Sequence, residues 1–160
     1  MLLCTKQYQK ELSSFLMEFT IKIEYVDKDK DIPGSWFGEE EAGIINNTLF
    51  IREDTPIHSA LHESCHFICM DNQRRKNLNT NAGGDYDEEN AVCYLQILLA
   101  EQLSFCSSDA IMKDMDDWGY TFRLGSAKAW FLNDAQDAKQ WLLDKKCIDK
   151  HNQVLFSLCS

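Results

Sequence analysis

The chain has 160 residues, enough for one domain with a sizeable core and too few to expect two. Hydrophobic residues make up 44% and charged residues 26%, the balance of a globular chain rather than a disordered one. Lys and Arg number 16 against 26 Asp and Glu, and the resulting net charge of −10 argues against a nucleic-acid partner.

No apolar run approaches the roughly 18 residues that a membrane span requires. The opening stretch MLLCTKQYQKELSSFLMEFT lacks a basic region followed by a continuous apolar one, so no signal peptide is expected. A secretion route without a cleavable signal leaves no such mark. The seven cysteines, Cys4, Cys65, Cys69, Cys93, Cys106, Cys147 and Cys159, show no disulfide spacing. Reduced thiols and a cytosolic protein are the expectation.

In chain order, Tyr8, Leu12, Phe15, Leu16 and Phe19 recur at helical spacing and predict an amphipathic helix over 5–19. The alternating, β-branched IKIEYV at 21–26 predicts a strand. A charged turn with Pro33-Gly34 follows. GIINNTLFI at 43–51 then reads as extended chain, with a hairpin through Asn46-Asn47. Thr55 as N-cap and Pro56 at the first position open the next helix. Residues 72–87 are polar and contain glycine, which predicts a loop, and a long helix is expected over 87–105. A short helix and a turn at Gly119 lead to a helical stretch at 126–146 with the stripe Phe131, Ala135, Ala138 and Leu142, ending in Lys145 and Lys146. Helix, strands and then helices make one α+β domain over 1–160.

The chemistry concentrates in LHESCHFICM, residues 61–70, where His62-Glu63-Ser64-Cys65-His66 reads H-E-x-x-H. Four residues apart on a helix, His62 and His66 project about 40° apart and can grip one ion. Glu63 falls within the same arc, where it can deprotonate a water held by that ion. Ile57, Leu61, Cys65 and Ile68 face the other way and bury the helix. Cys65 and Cys69 have a spacing loosely compatible with structural zinc, but no second ligand pair accompanies them, and Cys65 sits on the core face. His58, one turn earlier, is expected beside the cluster rather than in it.

A catalytic zinc takes three protein ligands and keeps one position open. The third ligand is sought in DYDEENAVCYLQILLAEQL, which offers Asp85, Asp87, Glu88 and Glu89. Glu88 lies in register with Ala91, Val92, Leu95, Leu99 and Leu103, the most apolar stripe, so it is expected to point inward to the metal. Glu89 shares a more polar face with Cys93, Gln96 and Ala100 and comes second. In the competing reading, Asp85 and Glu88 form a capping box and Glu88 bonds only a backbone N–H.

These residues resemble the gluzincin metallopeptidases, closest in layout to small ImmA/IrrE-like domains. The resemblance covers roughly residues 34–103 and is carried by GIINNTLFI, HESCH and Glu88-Glu89-Asn90-Ala91. It implies zinc on His62, His66 and Glu88, with Glu63 as general base. That family usually has Asn or Asp just after the alanine, and this chain has Val92.

The sequence therefore predicts a zinc-dependent peptidase acting on a peptide or protein substrate. A zinc-binding protein-interaction module without catalysis is the alternative. GIINNTLFI is placed to hold a substrate main chain in extended form. Tyr120, Arg123 and His151 are candidate oxyanion donors, each with a plain structural role as the competing reading. The acidic runs at 39–41 and 114–117 are expected to solvate the surface.

Overall fold

The computed structural model describes residues 1–35 and 39–159. An N-terminal helix α1 (Lys6–Met17) precedes three short strands, β1 (Lys22–Tyr25), β2 (Gly43–Ile45) and β3 (Thr48–Ile51). Helices α2 (Ile57–Cys69), α3 (Asn72–Lys76), α4 (Tyr86–Gln102), α5 (Ser108–Trp118), α6 (Ala127–Asn133) and α7 (Gln136–Asp144) follow. The α+β reading of one domain agrees with this order. No helix among the described residues is long and apolar enough to cross a membrane.

The sheet order is β1-β3-β2, with β1 parallel and β2 antiparallel to β3. The β2–β3 hairpin turns at Asn46-Asn47, where Asn46 takes the left-handed conformation (φ 52°) that asparagine tolerates better than most residues. One face of the sheet is closed by α2, whose Ile57, Leu61, Cys65 and Ile68 are all buried as the two-faced pattern predicted. Helix α4 runs through the middle, packed on α2, α5 and α7. Every residue from Ala91 to Ile97 is buried, so this helix has no solvent side along most of its length.

Four local expectations are corrected. Thr55 does not cap α2; its hydroxyl accepts from the Arg52 amide, and Pro56 occupies the cap. The 72–87 stretch is not all loop, because Asp71 caps the short helix α3 through the Arg74 amide. The 126–146 stretch is two helices, broken at Asp134-Ala135. Asp114 does not solvate the surface: it is buried and accepts from the Leu2 amide at 2.9 Å.

The C-terminal tail returns to α2. Cys147 and Cys159 form a disulfide with 5.3 Å between their Cα atoms, so the expectation of seven thiols holds for the other five only. The pair is brought together by a turn in which Ile148 bridges Val154, a tertiary return that cysteine spacing does not announce. Buried Arg75 fastens this tail, donating to the carbonyls of Phe67, Ile68 and Cys159 at 2.8–2.9 Å. Arg75→Ala is expected to lower the unfolding free energy by about 3 kcal/mol, because three buried acceptors lose their donor. A chemical denaturation midpoint that stays at the wild-type value would contradict this.

Candidate metal centre

His62 and His66 project from one face of α2, as their spacing dictates. Their Nε2 atoms stand 3.2 Å apart. Across from them α4 presents Glu89, with Oε1 3.0 Å from His62 Nε2 and Oε2 3.0 Å from His66 Nε2. These three are the one group of His, Cys, Asp or Glu side chains, among the described residues, whose ligand atoms converge closely enough to hold an ion.

Glu88 is not in it. Its carboxylate accepts two hydrogen bonds from the Arg74 guanidinium, at 2.7 and 2.8 Å, and is buried there. The choice of Glu88 over Glu89 as the group facing the histidines is thus corrected. The reason is physical: α4 is buried on every side from Ala91 to Ile97, so its most apolar stripe does not single out the side that meets α2. The face that meets α2 carries Glu89, Cys93 and Gln96, at helical spacing i, i+4 and i+7. That polar stripe on an otherwise apolar helix was the available signal. Asp85 does cap α4, accepting from the Glu88 amide at 2.9 Å, but the Glu88 side chain does not complete a capping box.

Two imidazole nitrogens and a carboxylate converging on one point could hold a cation. Donors 2.0–2.1 Å from a tetrahedral zinc stand about 3.3 Å from one another. The observed 3.0–3.2 Å separations fit with small adjustments. The Glu89 side chain is 47% exposed, so the cluster opens to one side, as a site with a free coordination position must.

Gln96 fixes the chemistry of His62. This fully buried amide donates from Nε2 to the His58 carbonyl at 2.8 Å, which leaves Oε1 as the atom facing His62 Nδ1 at 2.9 Å. His62 must therefore carry a proton on Nδ1, and Nε2 is the nitrogen left for a metal. His66 Nδ1 is buried and has no partner among the described residues, so no hydrogen bond at that nitrogen orients the ring. Gln96→Leu is expected to weaken zinc binding by roughly 10–100-fold, as loss of an outer-shell partner does, while Gln96→Glu retains it. Competition against a chromophoric chelator measures both, and an unchanged affinity for Gln96→Leu would refute the role.

The remaining candidates divide. His58 is buried outside the cluster, its Nδ1 3.2 Å from the Tyr120 hydroxyl; burial, then the nearby His62, lowers its pKa to about 4. Tyr120 stacks edge-on to His62, but its hydroxyl is engaged by His58 and Gln96, which makes it a support for the ligand helix. Arg123 pairs with Asp134 at 2.8 Å, away from the cluster. His151 lies exposed in the C-terminal turn beside Asp149. Cys65 and Cys69 are buried in the core and contribute no ligand atom to the cluster.

Binding a metal here would displace a proton: burial would lower the His62 pKa, but Tyr120, Cys93 and Glu89 outweigh it and raise it well above the ordinary imidazole value. Burial alone would raise the Glu89 carboxyl; hydrogen bonds from His62 and His66 outweigh it and hold the group well below the usual carboxylate range. Glu63 lines the same cleft of about 210 Å³ as His66 and Glu89. Burial raises its carboxyl above the ordinary value; His62 and His66 oppose the rise and Glu89 adds to it. Such a group is poised to take and return a proton.

No protein-family model, curated protein or solved structure matches this chain.

Proposed function

We propose that the protein is a zinc-dependent hydrolase, a peptidase of gluzincin type, with His62, His66 and Glu89 as metal ligands and Glu63 as general base. The observation that carries this reading is the convergence of two imidazoles and a carboxylate on one point, beside a second carboxylate, Glu63, in an open cleft. The ligand glutamate differs from the position that the family resemblance assigns. The arrangement of two histidines on one helix and a glutamate on a following one is the same in kind. A cytosolic setting is part of this reading and rests on the five free thiols, against the one Cys147–Cys159 pair.

When bound, zinc would supply Lewis acidity, lowering the pKa of a water and polarising a carbonyl. The residues of the chain do the rest. Glu89 and the two Nε2 atoms supply one negative charge and three donors while leaving one side open. Gln96 keeps His62 in the tautomer that can donate its lone pair. Glu63 accepts a proton from the attacking water and passes it to the leaving amine, a transfer suited to a carboxylate whose affinity for protons burial has raised.

Metal analysis of the purified protein, followed by a broad peptide library with and without chelator, tests the reading. About one equivalent of zinc and chelator-sensitive cleavage are expected. Full zinc with no cleavage would favour a zinc-dependent interaction module, and absence of zinc would sink both.

A further inference from the structure

We propose that residues 79–84 form an autoinhibitory strap, laid along the edge of β2 where an extended substrate would otherwise pair. The proposal rests on the hydrolytic reading of the site. β2 is an edge strand of the sheet, and an edge strand next to a metal helix offers unpaired N–H and C=O groups to a peptide main chain. In this protein those groups are already taken. The Asn46 amide donates to the Leu78 carbonyl at 2.8 Å, the Thr80 amide donates to the Ile44 carbonyl at 3.1 Å, and Ile45 bridges Asn79 in antiparallel sense. The chain thus adds its own short strand, and continues through Thr80, Asn81, Ala82 and Gly83 as one wall of the cleft that holds Glu63, His66 and Glu89.

The attachment has the character of a latch rather than of core packing. Leu78 is buried and anchors the near end, whereas no side chain from Asn79 to Gly84 is buried. The far end is clipped by Arg74, which donates to the Ala82 carbonyl at 2.7 Å while its guanidinium grips Glu88. Gly83 and Gly84 both take left-handed conformations (φ 67° and 95°), which glycine adopts without strain. At Gly84 a Cβ would come within 2.7 Å of Glu88 Oε1, so a side chain there would push the carboxylate and strain the backbone. The buried Glu88 therefore has a use that the ligand role had obscured: it holds the arginine that holds the strap. Opening costs the strap two edge hydrogen bonds and the clip, and an incoming extended peptide restores the edge bonds.

The test compares three states of the full-length chain. Arg74→Ala, with Glu88→Gln as the second unlatched variant should the first fail to fold, opens the strap. Ile45→Cys combined with Asn79→Cys locks it, since antiparallel partners stand about 4.5–5.5 Å apart at Cα, within disulfide reach. Two readouts are taken. Diethyl pyrocarbonate labelling of His66 in metal-free protein, with exposed His151 as internal reference, reports access without needing activity. Cleavage of an extended peptide library by zinc-loaded protein reports use of the edge. Wild type with and without reductant controls for the native Cys147–Cys159 bond. Unlatching is expected to raise both His66 labelling and kcat/KM about tenfold, the gain for a strap that opens on the order of a tenth of the time. Locking is expected to suppress both until reductant is added. Equal His66 labelling in all forms overturns the strap whatever they cleave. Strap-dependent labelling with equal cleavage in all forms also overturns autoinhibition, leaving the hydrolase intact. Strap-dependent labelling with no cleavage by any form sustains the gate and sinks the hydrolase.

Discussion

Glu89→Ala is expected to lower zinc affinity by about 100-fold, while Glu88→Ala leaves it within a few-fold of wild type. A structural zinc is worth roughly 10–16 kcal/mol over its four ligands, so one ligand carries on the order of 3 kcal/mol, a factor of about 100. Glu89 is the ligand candidate because both of its oxygens lie 3.0 Å from the histidine nitrogens. Glu88 spends its carboxylate on Arg74 and has no route to the cluster. The two variants should also separate in stability. Glu88→Ala strands the Arg74 guanidinium and is expected to cost about 1–3 kcal/mol. Glu89→Ala removes a charge from an open cleft and should cost less. Chelator competition and denaturation on the same two proteins give both comparisons. Loss of zinc in Glu88→Ala with retention in Glu89→Ala would reverse the assignment.

This pair of adjacent glutamates marks how far the sequence could be read. H-E-x-x-H geometry is local: the i, i+4 spacing and the apolar face of Ile57, Leu61, Cys65 and Ile68 determine which way α2 lies, and both follow from helical periodicity. The third ligand depends on how two helices meet, which is tertiary. Periodicity locates the buried side of a helix only when it has an exposed side. α4 is buried from Ala91 to Ile97, so its apolar stripe carried no direction. Gln96, placed by the sequence on the more polar face with Glu89, lies fully buried because its two polar ends are both satisfied, by His62 and by the His58 carbonyl. The self-paired edge of β2 was equally hidden. GIINNTLFI reads as a strand whether its outer edge is free or covered, and the residues that cover it sit more than 30 positions later in a segment with no strand pattern of its own. By contrast α1, the hairpin at Asn46-Asn47 and the turn at Gly119 were legible, each resting on contacts within a few residues.

The larger effect expected of any single substitution is on catalysis, at Glu63. A glutamate between two ligand histidines has no chemical duty in a structural site. In a hydrolytic one it moves the proton. Glu63→Gln is nearly isosteric and leaves His62, His66 and Glu89 in place, so zinc content and thermal stability are expected to stay close to wild type. Burial no longer works against a charge at that position, and thermal stability should if anything rise slightly. General-base catalysis contributes about 10²–10⁴-fold, and peptide hydrolysis is expected to fall by that much. The measurement is kcat/KM on a library peptide for wild type and Glu63→Gln at equal, verified zinc occupancy, after wild-type cleavage has been shown to stop with chelator. A loss of at least about 100-fold with zinc retained is the result predicted. Equal rates in the two proteins would contradict a hydrolase built on Glu63.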